Sequence, residues 1–187
     1  MTTTQDSFDT AYLILGGARS GKSGYAEEIA KRNEDKLQQE VFYIATAIPF
    51  DSEMEERIER HKSDRPTHWK SIEEPIHLAK ALKQNSGKDK VVLVDCLTLW
   101  LNNLLLKDDE ASLNAEIEEF LSCIDSLQGT VIFVSNEVGM GVIPMGNLSR
   151  KFVDESGRLH QHLAKKVEHI LLMVAGIAMT VKGNKPF

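Results

Sequence analysis

Residues Gly16-Gly17-Ala18-Arg19-Ser20-Gly21-Lys22-Ser23 fit the pattern G-x-x-x-x-G-K-[ST]. No other stretch of the chain restricts the fold as strongly, because this loop works only with a buried strand leading in and a helix leading out. Both flanks are present. Ala11-Tyr12-Leu13-Ile14-Leu15 reads as a buried strand, and after the loop Tyr25 and Ile29, then Ala26 and Ala30, recur at helical spacing. The residue types follow from phosphate chemistry. Glycines let backbone N–H groups close around phosphate oxygens. The helix N-terminus adds partial positive charge. Lys22 is placed to reach the outer phosphates and Ser23 to hold Mg²⁺ through its hydroxyl.

The rest of the chain alternates strands and helices. Val41-Phe42-Tyr43-Ile44-Ala45 is wholly apolar, as in a parallel sheet covered on both faces. The loop Thr46-Ala47-Ile48-Pro49-Phe50 follows it, where open α/β sheets line their ligand crevice. The first helix is expected to end near Asn33, with Glu34 to Glu40 a connection. A short strand is expected over His68 to Ile72, a helix from Ile76 to Lys83 and a polar turn from Gln84 to Lys90. Val91-Val92-Leu93-Val94-Asp95 is an apolar strand ending in aspartate, the form of a Walker B strand, whose carboxylate would bind Mg²⁺ beside the phosphate loop. Helices are expected from Cys96 to Lys107, Leu113 to Leu127 and Leu148 to Lys166. Between the last two, the strand Val131 to Val134 runs into a loop, Ser135 to Pro144, that carries Glu137, Gly139 and Gly141 at the open edge of the sheet. Strands at 169–174 and 178–182 close the chain, the second pairing at the edge. This order predicts an α/β, P-loop NTPase-like fold: one domain with a mostly parallel central sheet flanked by helices. Residues 11–187 form the nucleotide-binding catalytic domain and residues 1–10 a flexible tail.

Composition narrows the function. A chain of 187 residues suits one α/β domain better than two. The net charge of −6 argues against a nucleic-acid binder. Two cysteines, Cys96 and Cys123, without a C-x-x-C pair fit a reducing compartment. No apolar run approaches the roughly 18 residues of a membrane span, and the polar start Met1 to Asp9 has no signal-peptide core. A cytoplasmic enzyme is expected.

The helix after the second strand holds the most informative polar residue. Ser52 with Glu55 reads as a capping box. Met54, Ile58 and His61 then fall on one face, so His61 shares the apolar stripe. Arg57 and Arg60 nearby would favour a neutral imidazole, the form with the lone pair a nucleophile needs. The residues alone favour a partly buried structural histidine, since this helix has no local nucleophile signature.

Several blocks, taken together, resemble the bifunctional adenosylcobinamide kinase / adenosylcobinamide-phosphate guanylyltransferase family of cobalamin biosynthesis. They are GGARSGKS at 16–23, YIATA at 43–47, DSEMEERIERHKSDRP at 51–66, VLVDCLTLWLNNLL at 92–105, VSNEVGMGVIP at 134–144 and SRKFVDESGRLHQ at 149–161. The resemblance implies two reactions. A nucleoside triphosphate, ATP or GTP, phosphorylates the hydroxyl of adenosylcobinamide. His61 then attacks the α phosphorus of GTP, expels pyrophosphate and passes GMP to the new phosphate, giving adenosylcobinamide-GDP. It also implies nucleotide contacts at Thr46, Ala47, Ile48, Lys62, Arg65, Glu73 and Asp95, with Glu73 and Asp95 sharing guanine, ribose or metal between them, and a homotrimer. The chain departs from the family pattern at Met145-Gly146-Asn147, where Glu-Asn is usual after the proline, and at His160-Gln161, where Asn-Gln is usual. These positions are expected at the corrinoid site or a subunit contact. Two further readings remain: a P-loop kinase for another small alcohol with His61 structural, and a nucleotide-binding switch. The switch is disfavoured because the only Asn-Lys pair, Asn184-Lys185, is followed by Pro186-Phe187, so no N-K-x-D is present.

Overall fold

A computed structural model describes residues 10–49, 51–63 and 65–187, apart from the side chain of Arg57. Residues 1–9 of the expected tail, Phe50 and Asp64 lie outside the described residues; Thr10 opens the first strand. The strands are β1 (Thr10–Gly16), β2 (Glu40–Ala45), β3 (Lys70–Glu73), β4 (Lys90–Asp95), β5 (Thr130–Asn136), β6 (His169–Val174) and β7 (Ile177–Lys182). The helices are α1 (Lys22–Leu37), α2 (Ser52–Ser63), α3 (Leu78–Asn85), α4 (Leu97–Leu106), α5 (Glu110–Cys123) and α6 (Asn147–Ala164). The strands form one sheet in the order β3-β2-β4-β5-β1-β6-β7. All neighbours are parallel except β6 and β7, a hairpin at the edge.

The all-apolar strands are covered on both faces, as their composition requires. On one face Ala26, Ile29 and Ala30 of α1 pack on Ile14, Tyr43, Leu93 and Ile132. The other face carries α3, α4, α5 and α6 over Leu13, Ile44, Val92 and Phe133. Trp100 lies in this second layer, fully buried against Phe120, with its indole N–H donating to the carbonyl of Ile76 at 2.7 Å. Each such side chain contributes about 1.5–3 kcal/mol by leaving water. Asn103, one turn further along α4, donates to the carbonyls of Thr46 and Pro75 and so ties the loops after β2 and β3 to the helix layer.

Several expectations are corrected. α1 runs on to Leu37, because Glu34 is held there: its carboxylate accepts from the indole of Trp69 and lies 2.7 Å from His68. Accordingly β3 begins at Lys70, after these anchored residues. The cap of α2 is Asp51 rather than Ser52, since Asp51 Oδ1 accepts the Met54 N–H at 2.8 Å. Likewise Asp109 caps α5, accepting from Ala111 and Ser112, so that helix starts three residues before Leu113.

Candidate functional site

Parallel register builds the site. Ala45 stands opposite Glu73 on β3 and opposite Asp95 on β4, while Asp95 faces Val134 on β5. The two carboxylates therefore lie in one row at the carboxyl edge of the sheet, where open α/β folds bind ligands. The phosphate loop leaves β1 at the same edge. Gly16 has φ +155°, and a Cβ there would come within 2.6 Å of both Met173 O and Ser20 Oγ, so only glycine fits. Gly21, at φ +94°, sits against Gly176 of the β6–β7 turn, and the Gly176 N–H donates to Ser20 O. Lys22 opens α1 with its ammonium turned back over the loop, donating to Gly17 O at 2.5 Å. Burial lowers its pKa from the ordinary lysine value, and the nearby Cys96 and Asp95 oppose that shift.

A cavity of about 900 Å³ opens above this edge, at the upper end for a small-ligand site. Ala18, Arg19, Ser20, Gly21, Lys22 and Ser23 form its floor; Asp95, Glu73, Arg65 and Ala47 line its walls. α2 closes one side through Met54, Ile58, His61 and Lys62, so the stripe expected from their spacing faces one space. α2 has no fully buried residue among its described side chains. Lys62 fastens it to the sheet edge through an ion pair with Glu73 at 2.7 Å.

Not every expected nucleotide contact reaches this cavity. Gly16 and Gly17 form the turn beneath it, while Thr46 and Ile48 are not among its lining residues. Thr46 is fully buried; its hydroxyl donates to Cys96 O at 2.7 Å and accepts from Cys96 N at 2.9 Å, joining the ends of β2 and β4. His160, expected at a corrinoid or subunit contact, is instead buried, with Nε2 2.7 Å from Ser135 Oγ. Met145 is 94% exposed. The Glu137 carboxylate accepts from Gly139 N and Met140 N within its own loop, leaving Asn136 as that segment's contribution to the cavity.

The cavity also contains residues the sequence did not single out. Tyr43, two residues before the end of β2, reaches it, as do Cys96 and Leu99. Strand alternation could have found Tyr43, because it shares a face with Ala45. Cys96 is no competing nucleophile: burial raises its thiol pKa to about 11, so it stays protonated near neutrality. A hard divalent cation suits the donors present, the Ser23 hydroxyl and the Asp95 carboxylate. Among the described residues no group of three or more His, Cys, Asp or Glu could hold a metal. A hard cation needs only one or two such protein ligands, since water and substrate phosphates can fill the rest of its shell.

Fold and loop together define a P-loop nucleotide-binding protein. Two crystal structures share this fold: the flagellar accessory protein FlaH from Methanocaldococcus jannaschii (TM-score 0.54, 13% identity, 95% of this chain and 80% of that one) and a KaiC-like protein from Pyrococcus horikoshii (TM-score 0.52, 10% identity, 94% and 80%). The sequence assigns it further. Residues 12–181 match the family described as cobinamide kinase / cobinamide phosphate guanyltransferase, and the chain belongs to that family. It is 51% identical over 172 residues to the bifunctional adenosylcobalamin biosynthesis protein CobP of Pseudomonas aeruginosa, covering 92% of this chain and 97% of that one. It is 37% identical over 183 residues to the Escherichia coli protein of the same description, CobU, covering 91% and 98%.

Proposed function

We propose that this protein is an adenosylcobinamide kinase and adenosylcobinamide-phosphate guanylyltransferase, and that both transfers use the cavity above the phosphate loop. The observation that carries the reading is that His61, a side chain able to act as a nucleophile, and the phosphate-binding Lys22 open to one space. In the first reaction the loop's backbone N–H groups from Gly17 to Ser23, with Arg19 and Lys22, hold the triphosphate of ATP or GTP. The substrate hydroxyl attacks the γ phosphorus, and the nucleoside diphosphate leaves. In the second, a His61 ring nitrogen attacks the α phosphorus of GTP. The bond to the β-phosphate oxygen breaks, and pyrophosphate leaves with its charge met by Lys22. The phosphate of adenosylcobinamide phosphate then attacks the guanylyl-histidine, forming the diphosphate bond and freeing His61. Ser23 and Asp95 would hold Mg²⁺, which would supply neutralisation of developing phosphate charge. Lys62 and Arg65 face the phosphates. Glu73, released from Lys62, and Asp95 remain for guanine, ribose or metal, and Ala47 lies beside the nucleotide.

A homotrimer in the cytoplasm completes the proposal. Exposed apolar side chains support self-association: Met140, Val142, Ile143 and Met145 on the loop after β5, and Ile177, Met179 and Val181 on the edge strand β7. Both cysteines are buried and free, and no described helix is long and apolar enough to cross a membrane.

The test is covalent labelling. Protein incubated with Mg²⁺ and α-³²P-GTP, then denatured, should carry acid-labile, base-stable label, and His61→Ala should carry none. If wild type binds GTP but remains unlabelled, the guanylyltransferase half is lost and a simple kinase remains.

A further inference from the structure

Two charged groups of opposite sign meet the same aromatic ring in this cavity. Tyr43 lies opposite Leu93 and Ala45 opposite Asp95, so Tyr43 and Asp95 share the cavity face of adjoining strands. The Tyr43 hydroxyl donates to Asp95 Oδ2 at 2.8 Å. Over the ring face lies Arg65, its guanidinium carbon 3.4 Å from the ring centre. Arg65 is only 9% exposed, and its Nε and Nη1 have no hydrogen-bond partner. A buried guanidinium with unmet donors is costly unless something compensates it. The electron-rich ring face does so in part without using the donors.

We propose that Tyr43 is a positioning residue for nucleotide binding: its ring holds the Arg65 guanidinium ready for a phosphate, and its hydroxyl orients the Asp95 carboxylate for the nucleotide's divalent cation. This rests on the reading that Arg65 and Asp95 serve the nucleotide and its metal. The hydroxyl is suited to the task. As an O–H donor pointed at one carboxylate oxygen, it fixes the orientation of that group. With Tyr43 donating to Oδ2, the carboxylate's remaining lone pairs are left for a cation. Arg65 lines the cavity, and its planar fork matches a phosphate.

The experiment measures GTP affinity by calorimetry, with Mg²⁺ and again with EDTA, for wild type, Tyr43→Phe, Tyr43→Leu, Arg65→Gln and Asp95→Asn. Tyr43→Phe keeps the ring, so affinity in EDTA should hold while the Mg²⁺-dependent gain falls roughly tenfold, the weight of one charge-assisted hydrogen bond. Tyr43→Leu should also weaken binding in EDTA, roughly five- to thirtyfold and in step with Arg65→Gln, as a desolvated cation–π contact is lost. Tyr43→Met, which keeps much of the volume without a π face, replaces the leucine variant if that melts below the assay temperature. If Asp95→Asn abolishes the Mg²⁺ gain while Tyr43→Phe keeps all of it, the hydroxyl's role is refuted and the site reading stands. If Asp95→Asn leaves the gain intact, the metal assignment itself fails, and the hydroxyl's role with it. If Arg65→Gln weakens binding in EDTA and the ring variants do not, the ring's role is refuted. If Arg65→Gln has no effect, the phosphate assignment of Arg65 fails and takes the ring's role with it.

Discussion

Thr46→Val exchanges a hydroxyl for a methyl at a position with no solvent access. The two side chains have nearly the same shape, so packing is unchanged and the effect is one of hydrogen bonding. Two bonds are lost, to Cys96 O and from Cys96 N. Their costs differ. The Cys96 carbonyl still accepts from Trp100 N at 3.2 Å, so losing the first bond costs an ordinary net value of about 0.5–1.5 kcal/mol. The Cys96 N–H faces the new methyl and is left unpaired in the interior, at about 1–3 kcal/mol. The sum is roughly 1.5–4.5 kcal/mol, a fall in Tm of about 3–18 °C for a chain of this length. Urea unfolding at pH 7.5 measures the first quantity and a thermal melt the second. GTP affinity at 20 °C, where the variant remains folded, should be within about twofold of wild type, because the hydroxyl faces the β2–β4 junction and not the cavity. Unchanged stability combined with a tenfold loss of GTP affinity would refute this reasoning. It would restore the direct nucleotide contact that the family resemblance implies for Thr46.

Lys62→Met breaks the ion pair with Glu73, whose side chains are 40% and 68% exposed. Global stability should change by less than about 1 kcal/mol in urea, while guanylylation of His61 slows, because Lys62 is part of the cavity; equal labelling rates would remove Lys62 from the site. His160 has its pKa lowered by burial, with Glu137 opposing. The folded state thus resists protonation more than the unfolded chain, whose histidine titrates near 6.5. Stability is complete above that value and is lost as pH falls below it towards the folded pKa. His160→Gln should flatten the drop in Tm between pH 7.5 and 5.5; an unaltered drop would show that other groups cause it.

The strands and the phosphate loop could be read from contiguous residues. Val91 to Val94 are all apolar because both faces of the sheet are covered, and Gly16 to Ser23 carry their chemistry within one turn of chain. The faces of α2 were equally legible, since Met54, Ile58 and His61 follow helical spacing and do line one cavity. Boundaries fared worse wherever a distant partner set them. α1 extends to Leu37 because Glu34 meets His68 and Trp69, residues far along the chain. Thr46 was implied as a nucleotide contact by the family resemblance; only the neighbouring strand shows that its hydroxyl is already committed. The same holds for His160, whose polar side chain on α6 turns inward to Ser135.

Sequence by itself therefore determined the α/β class, the phosphate loop and the family, because each depends on residues close together in the chain or on their order along it, and it offered His61 as a candidate nucleophile through the family resemblance. Tertiary structure alone decided which polar groups share a space. Parallel register put Glu73 and Asp95 in one row, and strand pairing placed the Tyr43 hydroxyl at the Asp95 carboxylate beneath the Arg65 guanidinium. Hydrogen bonds need their partners within about 3 Å, and ion pairs are strongest at contact, so their partners are set by how strands pair and helices pack, and no local pattern records them.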